Sequence, residues 1–169
     1  MEERTRLNVS KDADWYGDDH LWIILTVASY LKETGKMDFL KEEIPFYVAG
    51  KKRKDRPKGT VLEHLKRALK FTREHLGKHN LPLLGFADWN DCMNLPLGAE
   101  STFNTALYAK ALLEMMDIEE ALGDKKAVEM YKGWYEDVKA AFNKSAWDGK
   151  WWTRWFDKDG NGYGVAKAK

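Results

Sequence analysis

The chain has 169 residues, 44% hydrophobic and 33% charged, a mixture that folds and so excludes wholesale disorder. With 28 basic and 27 acidic side chains the formal net charge is +1. So even a balance gives no reason to expect nucleic acid or an acidic surface as partner.

The apolar spacing in chain order is mostly helical. In 20–34, Leu21, Ile24, Leu25, Ala28 and Leu31 fall on one face, and Gly35 is a natural stop. Asp38 is expected to cap a short helix through about Tyr47. Residues 49–59 are a charged loop without apolar period. Thr60 and Glu63 then make a T-x-x-E capping box for a helix over 61–76. Residues 80–100 hold Pro82, Gly85, Pro96 and Gly98 and read as loop, with one extended run at Leu81–Phe86. A helix over 101–122 carries Phe103, Leu107, Ala111, Met115, Ile118 and Leu122. Gly123-Asp124 breaks it, and Val128, Tyr131, Tyr135, Val138 and Phe142 mark another helix over 125–143. Residues 147–164 read as a hairpin, extended over Trp151–Phe156. The fold class is mainly α.

The single Cys92 excludes an internal disulfide framework and a cysteine-cluster zinc site. No apolar run approaches the ~20 residues of a membrane span. Met1-Glu2-Glu3-Arg4 does not read as a signal peptide, so the cytoplasm is the expected location and no membrane partner is expected. The 8 Trp, 7 Tyr and 7 Phe are flat, polar-tipped side chains that suit a core and equally suit sugar rings.

Chemistry is densest in Gly85-Phe86-Ala87-Asp88-Trp89-Asn90-Asp91-Cys92-Met93-Asn94. One reading is structural, with Asp and Asn forming turns and Trp89 anchoring the loop. The other is functional: a carboxyl beside an indole and a second carboxylate is pushed towards its protonated form, which suits a general acid on a glycosidic oxygen. Asp18-Asp19-His20-Leu21-Trp22 also has two readings. Asp18 or Asp19 caps the helix with Trp22 in the core, or the helix start lines a pocket with Trp22 as a sugar platform and Asp19 or His20 bonding hydroxyls.

Taken in order, D-D-H-L-W, T-V-L-E-H-L-K-R-A-L, G-F-A-D-W-N-D-C-M-N followed by E-S, and W-D-G-K-W-W-T-R-W-F-D-K-D-G resemble the inverting disaccharide phosphorylases. These are the cellobiose, cellodextrin and chitobiose phosphorylases and the related catalytic region of cyclic β-1,2-glucan synthase. The resemblance runs from about Trp15 to Gly164 and rests most on the D-W-N-D-C-x-N string. It implies a glycosyltransferase of carbohydrate metabolism in which inorganic phosphate, as co-substrate, cleaves a β-linked disaccharide or oligosaccharide to an α-sugar 1-phosphate. The implied fold is part of an (α/α)6 barrel with a short β-hairpin, residues 1–169 forming one partial domain of it. Asp91 matches the family's general acid, and Trp89 and Cys92 match residues lining the sugar site; Asp88, Asn90, Asp19, His20, Trp22 and Glu100 complete the candidate set. No cofactor or metal is implied. A homodimer and the rest of its own enzyme are the implied protein partners, and the isolated chain is expected to be silent, since the family's phosphate-binding residues have no counterpart here.

Two other readings stay open. An inverting hydrolase would need a second carboxylate ~6.5–9.5 Å from Asp91, which Asp88 is too close in sequence to supply. A carbohydrate-binding or inactive segment would use Trp89, Trp22 and the aromatics of 147–155. The basic run Lys51–Lys58 reads as a solvated loop and Asp157–Gly162 as a turn, because Ala168 stands where a calcium loop needs Glu. His64 and His75 have no evident ligand partner, and Cys92 lacks an electropositive neighbour to make it a nucleophile.

Overall fold

The structure, a computed structural model, describes residues 15–48, 50–90 and 95–166. Four α-helices dominate it: α1 (Asp19–Thr34), α2 (Val61–Glu74), α3 (Thr102–Leu122) and α4 (Lys125–Ser145). The expected class, mainly α, is the observed one. An (α/α)6 barrel is a ring of six helix pairs, and the described residues hold four helices.

Local chemistry sets the helix ends. Gly35 takes a left-handed φ of 66° and its N–H closes α1 on the Leu31 carbonyl. At α2 the Thr60 hydroxyl accepts from the Glu63 N–H at 3.1 Å while the Thr60 N–H donates to Glu63 Oε2 at 2.6 Å, the reciprocal box expected. α2 stops at Glu74 rather than residue 76, because His75 N–H turns back to the Thr72 carbonyl and Leu76 leaves to bridge Pro82. Ser101 caps α3 through Asn104 N–H at 3.1 Å, and Asp124 caps α4 through Ala127 N–H at 3.1 Å.

α3 is the central element. It packs against α1 on one side and α4 on the other, with a lighter contact to α2. Tyr108, Ala111, Leu112 and Met115 are completely buried there, against Leu21 and Ile24 of α1 and Tyr131 and Val138 of α4. The buried Leu, Ile and Met side chains each contribute about 1.5–3 kcal/mol of transfer free energy.

The helix expected from Asp38 through Tyr47 is not formed. Met37–Lys41 make a 3-10 turn whose cap position is Lys36, without a side-chain cap; Asp38 falls inside the turn, and its carboxylate pairs with Lys41 Nζ at 2.7 Å. The chain then extends into β1 (Glu43–Pro45), antiparallel to β2 (Lys58–Thr60), and Pro45 itself disfavours helix at Ile44. Between them the basic run is exposed and carries a 3-10 turn, Arg53–Asp55.

A second sheet organises the site. β3 (Glu100–Ser101), β4 (Trp155–Phe156) and β5 (Gly162–Tyr163) pair antiparallel in that order. The expected hairpin over 147–164 is therefore two successive reversals: an isolated bridge between Trp147 and Trp152, then β4–β5. Its tip is tied by Asp157, which accepts from the backbone and the side-chain amide of Asn161, both at 2.9 Å. The extended run over 81–86 exists as single bridges, Leu83 to Glu100 and Gly85 to Tyr16, rather than as a ladder.

Candidate active site

Three sequence-distant segments converge at the starts of α1 and α3. Leu84 N–H donates to the Ala99 carbonyl at 2.8 Å on one side, and on the other Phe86 N–H donates to Trp15 O at 2.8 Å and Gly17 N–H to Ala87 O at 2.9 Å. Residues 84–87 are thus held between 15–17 and 99–101. Gly85 makes this possible: φ is +67°, and a Cβ there would stand 2.5 Å from the Trp15 carbonyl oxygen. The next residues on the first and middle of these segments, Asp18 and Asp88, are brought close enough to act on one another electrostatically.

The two carboxylates have opposite surroundings. Asp88 is 1% exposed, and both of its oxygens are doubly engaged. Oδ1 accepts from Arg154 Nη2 at 2.9 Å and from Asn90 N–H at 3.0 Å; Oδ2 accepts from Arg154 Nη2 at 2.8 Å and from the Ser101 hydroxyl at 2.6 Å. Asp18, 4% exposed, stands at the start of α1 but makes no side-chain cap; its Oδ2 accepts from the Trp22 indole N–H at 2.8 Å. Burial holds the Asp18 carboxyl above the ordinary carboxylate range, and the charges of Asp19 and Asp88 push the same way, against the opposing indole hydrogen bond. An acid beside an indole and a second carboxylate was expected in the 85–94 loop; among the described residues Asp18 has that environment.

Above these carboxylates lies an open aromatic face. Phe103, in the first turn of α3, has the Trp22 ring 6.2 Å away and the Trp89 ring 5.8 Å away, and the Arg154 guanidinium 5.5 Å from its own ring. Trp22 is 43% and Trp89 61% exposed, so both indoles keep free surface for a ligand ring.

The candidate residues thus divide. Trp22, Trp89 and Asp88 come together with Asn90, which turns back onto Asp88. His20 does not join them: it points to α2, where Nε2 meets the Thr72 hydroxyl at 2.7 Å and the ring packs on Phe71. Asp19 is exposed and lines, with His20, a separate cavity of about 540 Å³ between α1 and α2. Helix geometry is the cause, since successive residues of a helix point about 100° apart. Glu100 is fully buried and faces away, taking the backbone N–H groups of His79 and Leu81 at 2.8 and 3.1 Å and His79 Nδ1 at 2.6 Å. It alternates with Ser101 along β3, so only Ser101 faces Asp88. Asp91 and Cys92 lie outside the described residues. Sequence reasoning missed Ser101, Phe103 and Arg154; the S-x-x-N cap pattern at 101–104 was a usable signal for Ser101 alone.

The sequence model of the glycosyl hydrolase 94 superfamily catalytic domain matches residues 3–169. The chain belongs to that family. It is 36% identical over 158 residues to N,N'-diacetylchitobiose phosphorylase of Vibrio proteolyticus, a match covering 92% of this chain and 19% of that protein. Solabiose phosphorylase of Paenibacillus borealis is 32% identical over 157 residues, 90% of this chain and 20% of that protein. Cyclic β-(1,2)-glucan synthase of Rhizobium meliloti is 30% identical over 167 residues, covering 89% of this chain and 6% of that protein. The chain spans about a fifth of the length of the phosphorylases it matches. In this segment of the glycosyl hydrolase 94 catalytic domain, no group of three or more His, Cys, Asp or Glu among the described residues is placed to hold a metal ion, and no described helix is long and apolar enough to cross a membrane.

Proposed function

We propose that the native polypeptide carrying this chain cleaves a β-linked disaccharide or short oligosaccharide with inorganic phosphate, with inversion, and that Asp91 is the general acid. The observation that carries this reading is the open Trp22–Phe103–Trp89 face set over the buried Asp88–Arg154–Ser101 node, in a chain that belongs to the glycosyl hydrolase 94 superfamily. In this reaction a phosphate oxygen bonds to the anomeric carbon as the bond to the leaving sugar breaks. Asp91 gives its proton to the departing oxygen, and the product is an α-sugar 1-phosphate. Phosphate is already anionic, so no protein base has to activate water, and one carboxylic acid suffices. The two exposed indoles offer apolar area to pyranose faces.

The wider setting belongs to the same proposal. The four helices form part of an (α/α)6 barrel completed by chain outside residues 1–169, and the whole works as a homodimer in the cytoplasm, where phosphate is abundant and a charged sugar phosphate is retained. The test is phosphate-dependent release of sugar 1-phosphate from β-linked disaccharides, including cellobiose and N,N'-diacetylchitobiose. Asp91→Asn should lower this at least a hundredfold while an activated aryl glycoside partly rescues it. More than a few per cent of wild-type turnover in Asp91→Asn overturns the assignment. Cleavage without phosphate would instead mark a hydrolase, and binding without turnover a carbohydrate-binding segment.

A further inference from the structure

Asp18 stands where a helix-capping residue belongs and does not cap. It immediately precedes α1, yet its carboxyl takes no backbone N–H from the first turn. It turns along the helix instead to Trp22, four residues on, and accepts from the indole N–H at 2.8 Å. Among the described residues, that indole and the backbone N–H of Asp18 itself are the groups that hydrogen-bond this carboxyl. The acceptor is 4% exposed and the ring that it serves is 43% exposed. A half-exposed indole can bond water as well, so the fold gains little from the pairing. The carboxyl meanwhile suffers from its burial and from the charge of Asp88. A position that breaks a local rule without return to the fold is where function is expected.

What the bond does is fix a ring. The Trp22 indole is held at its polar edge by Asp18 and lies 6.2 Å from the Phe103 ring, tilted 41° to it. Asp18 is itself anchored. Its carbonyl accepts from the N–H groups of Leu21 at 2.9 Å and Trp22 at 3.2 Å, and the preceding Gly17 N–H donates to Ala87 O at 2.9 Å. The junction that fixes Asp18 is therefore the one that leads into Trp89, whose ring lies 5.8 Å from Phe103 on the same face. We propose that Asp18 is a positioning residue for this face, holding the Trp22 ring in its binding orientation before a sugar arrives. The effect on affinity rests on the reading of the face as a sugar site, while the hold on the ring rests on geometry alone. An amide oxygen at position 18 can accept the same bond, and an aliphatic side chain cannot. A ring no longer held has to be ordered at the moment of binding, which for one side chain corresponds to about three- to tenfold in affinity.

The experiment uses Asp18→Leu and Asp18→Asn in the native polypeptide, titrated calorimetrically with cellobiose and N,N'-diacetylchitobiose in the absence of phosphate, so that no turnover intervenes. Asp18→Leu should weaken binding about three- to tenfold, and Asp18→Asn should stay within about twofold of wild type. Unchanged affinity in Asp18→Leu, or an equal loss in Asp18→Asn, overturns the proposal. Trp22→Phe keeps a ring but has no indole N–H, so adding Asp18→Leu to it should weaken binding no further. An additive loss also overturns the proposal, because Asp18 would then act through something other than the indole. The second readout is fluorine NMR of the native polypeptide labelled with fluorotryptophan. The Trp22 resonance, assigned by its absence in Trp22→Phe, should move or broaden in Asp18→Leu and keep its place in Asp18→Asn. An unmoved resonance in Asp18→Leu overturns the proposal whatever the titration shows. If the wild type binds neither sugar, the sugar reading of the face has failed, and the resonance alone decides whether Asp18 holds the ring. Should Asp18→Leu not fold, Asp18→Ala also lacks the acceptor and carries the same readouts.

Discussion

His20 makes the stability of this fold sensitive to mild acid, and the size of the effect follows from its surroundings. The half-buried imidazole packs on Phe71 and Thr72, and the Thr72 hydroxyl, which donates back to the Ala68 carbonyl at 3.5 Å, accepts from Nε2–H. Burial, with a smaller push from His75, lowers the pKa of His20 from 6.5 to about 4. Between those values the unfolded chain binds a proton at position 20 that the folded chain does not. Stability is therefore complete above pH 6.5 and is lost as pH falls towards 4. A shift of that size corresponds to about 3 kcal/mol, most of which is lost between pH 7 and pH 4.5. That is a large part of the 5–15 kcal/mol by which domains are stable. His20→Gln keeps an amide donor for Thr72 but does not titrate, so its pH dependence should be flatter by that amount. Urea unfolding followed by tryptophan fluorescence at the two pH values measures it. Parallel pH dependences in wild type and variant would refute the reasoning, since the acid-induced loss would then belong to other groups.

Asp18 should give the opposite sign. Its pKa is raised in the folded state, chiefly by burial, so the folded chain holds its proton above pH 3.8 where the unfolded chain has released it, and stability falls as pH rises through that range. Asp18→Asn, which can still accept from the Trp22 indole, should have a higher Tm than wild type at pH 7 and converge with it near pH 3. A wild type that gains on the variant with rising pH contradicts this. Trp89→Ala should leave Tm within a few degrees, since the ring is 61% exposed, while weakening disaccharide affinity about tenfold by titration calorimetry on the native polypeptide. Unchanged affinity would return Trp89 to a purely structural role.

The helices were legible because their information is local. The stripes of α1 and α3, the box at Thr60 and Glu63 and the breaks at Gly35 and Gly123-Asp124 each act within one or two turns, and sequence displays them directly. The error at Asp38 has the same origin turned around. An acidic residue before an apolar run looks like a cap, but Asp38 had a nearer partner in Lys41, and strand pairing to residues 58–60 took the chain that follows. That pairing depends on where Lys58–Thr60 lies in space, which no local pattern encodes. The extended run at 81–86 was expected, but its bridge partners, Glu100 and Tyr16, were hidden for the same reason.

The site was legible in its aromatics and not in its charges. Trp22 could be suspected because it stands at a helix start beside Asp19 and His20, and Trp89 because it stands in the D-W-N-D string on which the family resemblance most rests. Which carboxylate sits where was invisible, because it depends on partners 13 and 66 residues away. Sequence reasoning placed the acid with abnormal surroundings in the D-W-N-D string, and the chemistry asked for was sound: a carboxyl, an indole and a like charge. Asp91 lies outside the described residues; among those described, Asp18 has such surroundings, with Trp22 four residues on and Asp88 contributed from the other side. Asp88 meanwhile received a guanidinium, a hydroxyl and a backbone amide. Two carboxylates at one face can be kept only if their charges are handled differently, one compensated and the other held towards neutrality. Arg154 does the first and burial does the second. The hairpin that delivers Arg154 therefore belongs to the electrostatics of this site as much as the loop that carries Asp88.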